Sequence, residues 1–125
     1  MTLVAARSWR NVSLLHGDAA EVDLDCRVDA VLFSLSYSVL PDRQPVLRRA
    51  WEMLRPGGRL LVMDAGLPAN ALGRLLGPLA EMVATAFPGD PYSHPWEDLA
   101  QLSTPVRTER FQLGTYFICS LDKNR

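Results

Sequence analysis

Residues 50–64, AWEMLRPGGRLLVMD, constrain the fold more than any other part of this chain. Val46, Leu47, Ala50, Trp51 and Leu54 recur at three- and four-residue spacing, which gives a helix one apolar face. Pro56 cannot continue that helix, and Gly57-Gly58 permit the positive φ values of a sharp exit. Leu60 to Met63 then form a continuous apolar run, the pattern of a strand covered on both faces in a parallel sheet. Asp64 ends the run. Ligands gather beyond the carboxyl ends of such strands, so chemistry is expected near Asp64 and its equivalents on neighbouring strands. Asp64 itself suits either contact with a bound acceptor or a cap on the following turn.

The remaining chain supplies companions for this unit. Residues 11–16, NVSLLH, read as a strand that ends in Gly17-Asp18-Ala19. Residues 28–35, VDAVLFSL, read as a second strand, with a loop of Ser36, Tyr37 and Ser38 beyond it. Asp42 is placed to cap the helix that runs to about Leu54, and a third strand is expected over residues 58–64. Leu72, Leu75, Leu76, Leu79, Met82 and Val83 form a helical stripe, with Gly77-Pro78 expected to kink it. A turn-rich loop carries Tyr92 and His94. Pro95 suits the first turn of a short helix, and residues 2–7 could form another. Residues 106–113 and 115–121 are β-rich on either side of Gly114, which predicts an antiparallel hairpin. The order predicts an α/β sheet, parallel with an antiparallel edge.

Bulk properties exclude several functions. A chain of 125 residues, 48% hydrophobic and 22% charged, is read as one globular domain over residues 1–125. A net charge of −1 provides no footprint for nucleic acid or an anionic membrane. The adjacent Arg48 and Arg49 are expected on a solvated helix face. No apolar run reaches the roughly 18 to 20 residues of a membrane span. Cys26 and Cys119 lack motif spacing and read as reduced thiols of a cytoplasmic protein. His16 and His94 are too far apart in sequence to suggest a metal cluster.

Three segments in order carry a family resemblance. NVSLLHGDAAEV resembles the third strand of class I S-adenosylmethionine-dependent methyltransferases, VDAVLFSLSYSVLPD the fourth, and LRPGGRLLVMD the fifth. VRTERFQLGTYFICSL is similar to the last two strands. The resemblance implies a Rossmann-like sheet and S-adenosylmethionine as cofactor. Asp18 would accept the adenine amino group, the backbone N–H of Ala19 would meet the ring, and Gly17 would form the turn. Ser34, Leu35 and Ser36 would line the methionine side and the methyl-transfer position. Tyr37 and His94, with Tyr92, are the residues suited to orient or deprotonate an acceptor. FSLSYSVLPD and LGTYFICSL also resemble bacterial phospholipid and betaine-lipid N-methyltransferases, so the acceptor is expected to be a small molecule or a lipid headgroup.

The family's glycine-rich first turn and ribose-binding acid have no counterpart, because no G-x-G pattern occurs. The chain thus resembles a methyltransferase truncated by its first two strands. In the family's sheet those strands lie between the third and the fourth. Residues 28–35 should then present a bare edge, from which a homo-oligomer is expected. The alternative function is a non-catalytic module acting through dimerisation or a partner chain.

Overall fold

The structure, a computed structural model, describes residues 7–65, 75, 78–79, 82, 93–112 and 116–125. Four strands form one sheet: β1 (Val28–Ser34), β2 (Leu54–Ala65), β3 (Arg107–Phe111) and β4 (Tyr116–Asp122). Their spatial order is β1-β2-β4-β3. β1 and β2 are parallel, whereas β4 runs antiparallel to both β2 and β3. This is the expected α/β sheet with an antiparallel hairpin at one side. Helix α1 (Arg43–Met53) connects β1 to β2, and α2 (Pro95–Ala100) precedes the hairpin with Pro95 in its first turn.

The core forms where the apolar stripe of α1 meets the sheet. Leu47 and Ala50 of α1 pack with Leu54, Leu60 and Val62 of β2. Phe117, Cys119 and Leu121 extend that face across β4, and Leu99 of α2 covers it. Alternation within β2 is clear: Leu60, Val62 and Asp64 are buried, while Leu61 and Met63 are only partly so. The continuous apolar run therefore has one closed face and one half-covered face among the described residues.

The Pro-Gly-Gly turn differs from expectation in an informative way. β2 begins at Leu54 and runs through the glycines, with a register break between Val28 and Ala30 opposite them. Gly57 has φ +80°, and its N–H donates to the Lys123 carbonyl at 2.8 Å. Gly58 serves close approach instead. A Cβ there would lie 2.9 Å from the carbonyl oxygens of both Arg55 and Asp29.

Two further expectations need correction. Residues 11–16 form no strand, and Val12, Leu14 and Leu15 are 39%, 61% and 69% exposed. A strand needs a neighbour for its N–H and C=O groups, and none lies beside this segment among the described residues. Asp42 precedes α1 but makes no side-chain cap hydrogen bond. Of the predicted helical stripe, Leu75, Leu79 and Met82 are helical and exposed. The rest of that helix, the Gly77 half of its kink, Tyr92, Gly114 and residues 2–6 lie outside the described residues.

Candidate active site at the carboxyl ends of the parallel strands

Parallel pairing sets Ser34, the last residue of β1, beside Met63 of β2. The Leu35 N–H continues the ladder to the Met63 carbonyl at 2.8 Å. Leu35 does so with φ +50°, a left-handed backbone uncommon for a branched side chain. The chain then enters a single 3-10 turn, Tyr37–Val39. Leu35 is 56% exposed on this lip, and Ser36 is partly buried.

Two carboxylates hold the lip. Asp64, 4% exposed, accepts the Ser38 N–H on Oδ2 and the Ala65 N–H on Oδ1, each at 2.8 Å. The Tyr37 hydroxyl donates to Asp98 Oδ2 of α2 at 2.6 Å. Arg43 adds bonds from Nε to the Tyr37 carbonyl and from Nη2 to the Ser38 carbonyl, both at 3.3 Å. Its guanidinium also sits 5.7 Å from the Tyr37 ring centre.

Tyr37 is fully buried and meets Phe33 edge-on at 5.7 Å. Burial, then the hydrogen bond to Asp98, pushes its hydroxyl well above the ordinary phenol value of 10.0. It is therefore a proton donor held by Asp98, a poor arrangement for a base toward an acceptor. His94 is exposed just before α2, and its ring meets Trp96 edge-on at 5.0 Å. Trp96 in turn meets Phe117 at 5.4 Å, and Phe117 pairs with Asp64. An aromatic path thus leads from His94 toward the carboxyl end of β2.

Gly17, Asp18 and Ala19 lie in a separate loop. Asp18 Oδ1 accepts the Ala20 N–H at 2.8 Å, and the Asp18 carbonyl accepts from Glu21 and Val22. The loop lines a surface hollow of about 480 Å³ with Leu15 and Val22 among its walls. Arg49 pins the loop to α1: Nε donates to the Val22 carbonyl at 2.6 Å, and Nη2 pairs with Asp23 at 2.8 Å. Arg49 is thus a fastening, contrary to the solvated role expected of it; Arg48 is exposed as expected. Among the described residues, no hydrogen bond or ion pair joins residues 17–19 to residues 34–36.

Sequence reasoning missed Asp98 and Arg43. Neither carries a motif, and Asp98 meets Tyr37 only through tertiary folding across 61 residues.

Comparison with known proteins agrees with this architecture. The methyltransferase domain family matches residues 2–62. A demethylmenaquinone methyltransferase of Mycolicibacterium paratuberculosis is 38% identical over 71 residues, covering 56% of this chain and 31% of that protein. The Listeria monocytogenes enzyme of the same name is 37% identical over 66 residues, covering 52% of this chain and 28% of its own length. The chain therefore spans about a third of the length of these curated relatives. The solved structure of a S-adenosylmethionine-dependent methyltransferase from Thermotoga maritima superposes with a TM-score of 0.68 at 20% identity, covering 96% of this chain and 67% of that one. In sequence and in fold the chain is similar to class I S-adenosylmethionine-dependent methyltransferases. It is a methyltransferase-like domain, and its sequence holds no G-x-G pattern.

Proposed function

We propose that this chain carries the adenine-contacting and acceptor-facing parts of a S-adenosylmethionine-dependent methyltransferase that acts on a small molecule. The observation that carries this reading is the lip of Ser34, Leu35 and Ser36, held at the carboxyl ends of two parallel strands by buried Asp64.

The residues present fit the adenine end of the cofactor. One oxygen of Asp18 is engaged by Ala20, and the other has no partner among the described residues. Ala19 makes no backbone hydrogen bond as a donor there. An acceptor, a donor and the apolar walls of Leu15 and Val22 are the groups an aminopurine needs. Gly17 adds no steric barrier, since nothing lies within 4 Å of where its Cβ would be. The ribose and methionine have no equivalent cradle among the described residues. When bound, the cofactor supplies an electrophilic methyl group on a sulfonium. The protein's task is then alignment: the lip orients the acceptor, and exposed His94 is the group able to take a proton from it. The relatives' name, demethylmenaquinone methyltransferase, favours a small-molecule acceptor over a lipid headgroup. Two free thiols, Cys26 and Cys119, suit a cytoplasmic setting.

A second reading rests on the outer edge of β1. That edge has no strand beside it among the described residues, Leu32 is 56% exposed, and Leu14 and Leu15 are also exposed. Self-association through this edge would give a homo-oligomer that is either the active form or a non-catalytic module.

Calorimetric titration of S-adenosylmethionine into the protein, with Asp18→Ala as control, tests the first reading. Saturable heat that Asp18→Ala weakens at least tenfold supports it. No heat at millimolar ligand overturns it and leaves the second.

A further inference from the structure

We infer that Asp64 is a positioning residue: its carboxylate sets the backbone of residues 35–38, and with it the geometry in which the lip meets cofactor and acceptor. This rests on reading residues 34–36 as the methyl-transfer lip. A carboxylate that is 4% exposed is costly to bury unless its oxygens are satisfied. Asp64 has no ion-pair partner among the described residues, and both oxygens instead accept backbone N–H groups at 2.8 Å.

The two bonds differ in reach. The one to Ala65 is local and caps the strand end. The one to Ser38 crosses 26 residues and lands on the 3-10 turn. Between the ladder bond at Leu35 and this bond at Ser38 lie only Ser36 and Tyr37. Leu35 sits at φ +50°, a conformation that persists only where its surroundings impose it, and such residues gather at functional sites. Asp64 supplies that imposition from the strand side, and Asp98, through the Tyr37 hydroxyl, from the helix side. At 4% exposure Asp64 is shielded from an acceptor, so it acts through the lip and not by contact.

The test is amide hydrogen exchange by NMR on the 125-residue protein and its Asp64→Asn variant. A carboxamide keeps the shape but offers one acceptor oxygen, so it cannot satisfy both N–H groups. Exchange at Ser38 should accelerate at least tenfold, while Val62 and Cys119, in the β2–β4 ladder, stay within about twofold. Unchanged protection at Ser38, or an equal rise across the sheet, overturns the inference. The dissociation constant for S-adenosylhomocysteine should also rise at least tenfold in Asp64→Asn at an unchanged melting temperature. If the native protein binds and the variant binds equally well, the inference fails. If the native protein does not bind, the cofactor reading fails, and the exchange pattern alone decides whether Asp64 sets the lip. Should Asp64→Asn not fold, Leu35→Gly relieves the left-handed backbone with the carboxylate intact. Ser38 should then remain protected, and loss of its protection would assign the lip geometry to Leu35 instead of Asp64.

Discussion

The Tyr37 hydroxyl donates to Asp98 Oδ2 at 2.6 Å and so ties the turn after β1 to helix α2. Tyr37→Phe keeps the ring in the core and leaves that carboxylate without its strongest donor. A loss of about 1–3 kcal/mol is expected in denaturant unfolding. Burial of the Tyr37 hydroxyl, and then its bond to Asp98, also give a pH signature. The folded pKa of Tyr37 lies above the unfolded value of 10.0, so its contribution is fully present below pH 10 and is lost as pH rises above it. Above pH 10, until the folded-state pKa is reached, stability should fall by up to about 1.4 kcal/mol per pH unit from this group. Melts of native and Tyr37→Phe protein at pH 8 and pH 11 should show a steeper alkaline loss in the native chain.

Glycine substitutions should separate turn geometry from site geometry. Gly58→Ala drives a Cβ to 2.9 Å from two backbone oxygens, Arg55 and Asp29, and should cost about 1–3 kcal/mol. Gly17→Ala meets nothing within 4 Å and should stay within about 0.5 kcal/mol of the native protein. Thermal unfolding of the two variants side by side checks both.

The outer edge of β1, which has no strand beside it among the described residues, is expected to govern any self-association. Leu32 is 56% exposed on that strand, and a charge there discourages edge pairing. Sedimentation of the native chain at micromolar concentration should reveal species larger than a monomer, and Leu32→Lys should shift them to monomer. A native chain that is wholly monomeric would remove the edge as an assembly surface.

The two thiols should differ in reactivity. Cys26 is exposed, whereas Cys119 is buried in β4, and burial pushes its thiol above the ordinary range despite the Thr108 hydroxyl at 3.6 Å. Titration with a disulfide reagent at neutral pH should modify one thiol rapidly, and the second only in denaturant.

The fold was legible wherever periodicity reports burial. The α1 stripe, the β2 run and β4 follow from side-chain spacing, because each hides one face in a shared core, whereas β3 is exposed throughout and is held by its pairing with β4. Residues 11–16 have equally strand-like chemistry but no strand, since pairing depends on a neighbour that local sequence cannot report. The same limit applies to the site. Gly17-Asp18-Ala19 and Ser34 to Ser36 are singled out only by their resemblance to segments of class I methyltransferases. The bonds from Asp64 to Ser38 and from Tyr37 to Asp98 join residues 26 and 61 positions apart, and no pattern in the chain announces them. By residue type Tyr37 is suited to orient or deprotonate an acceptor; its full burial, beside Phe33 and bonded to Asp98, arises from tertiary contacts that local sequence does not report.

Under the proposed function, one ligand meets both the Asp18 loop and the lip beyond β1. Chemical-shift mapping of the labelled protein with S-adenosylhomocysteine tests this most directly. Shifts are expected to concentrate at Gly17, Asp18 and Ala19 and at Ser34, Leu35 and Ser36, with the β3–β4 hairpin unmoved. Shifts confined to one of the two groups, or found only elsewhere, would contradict it.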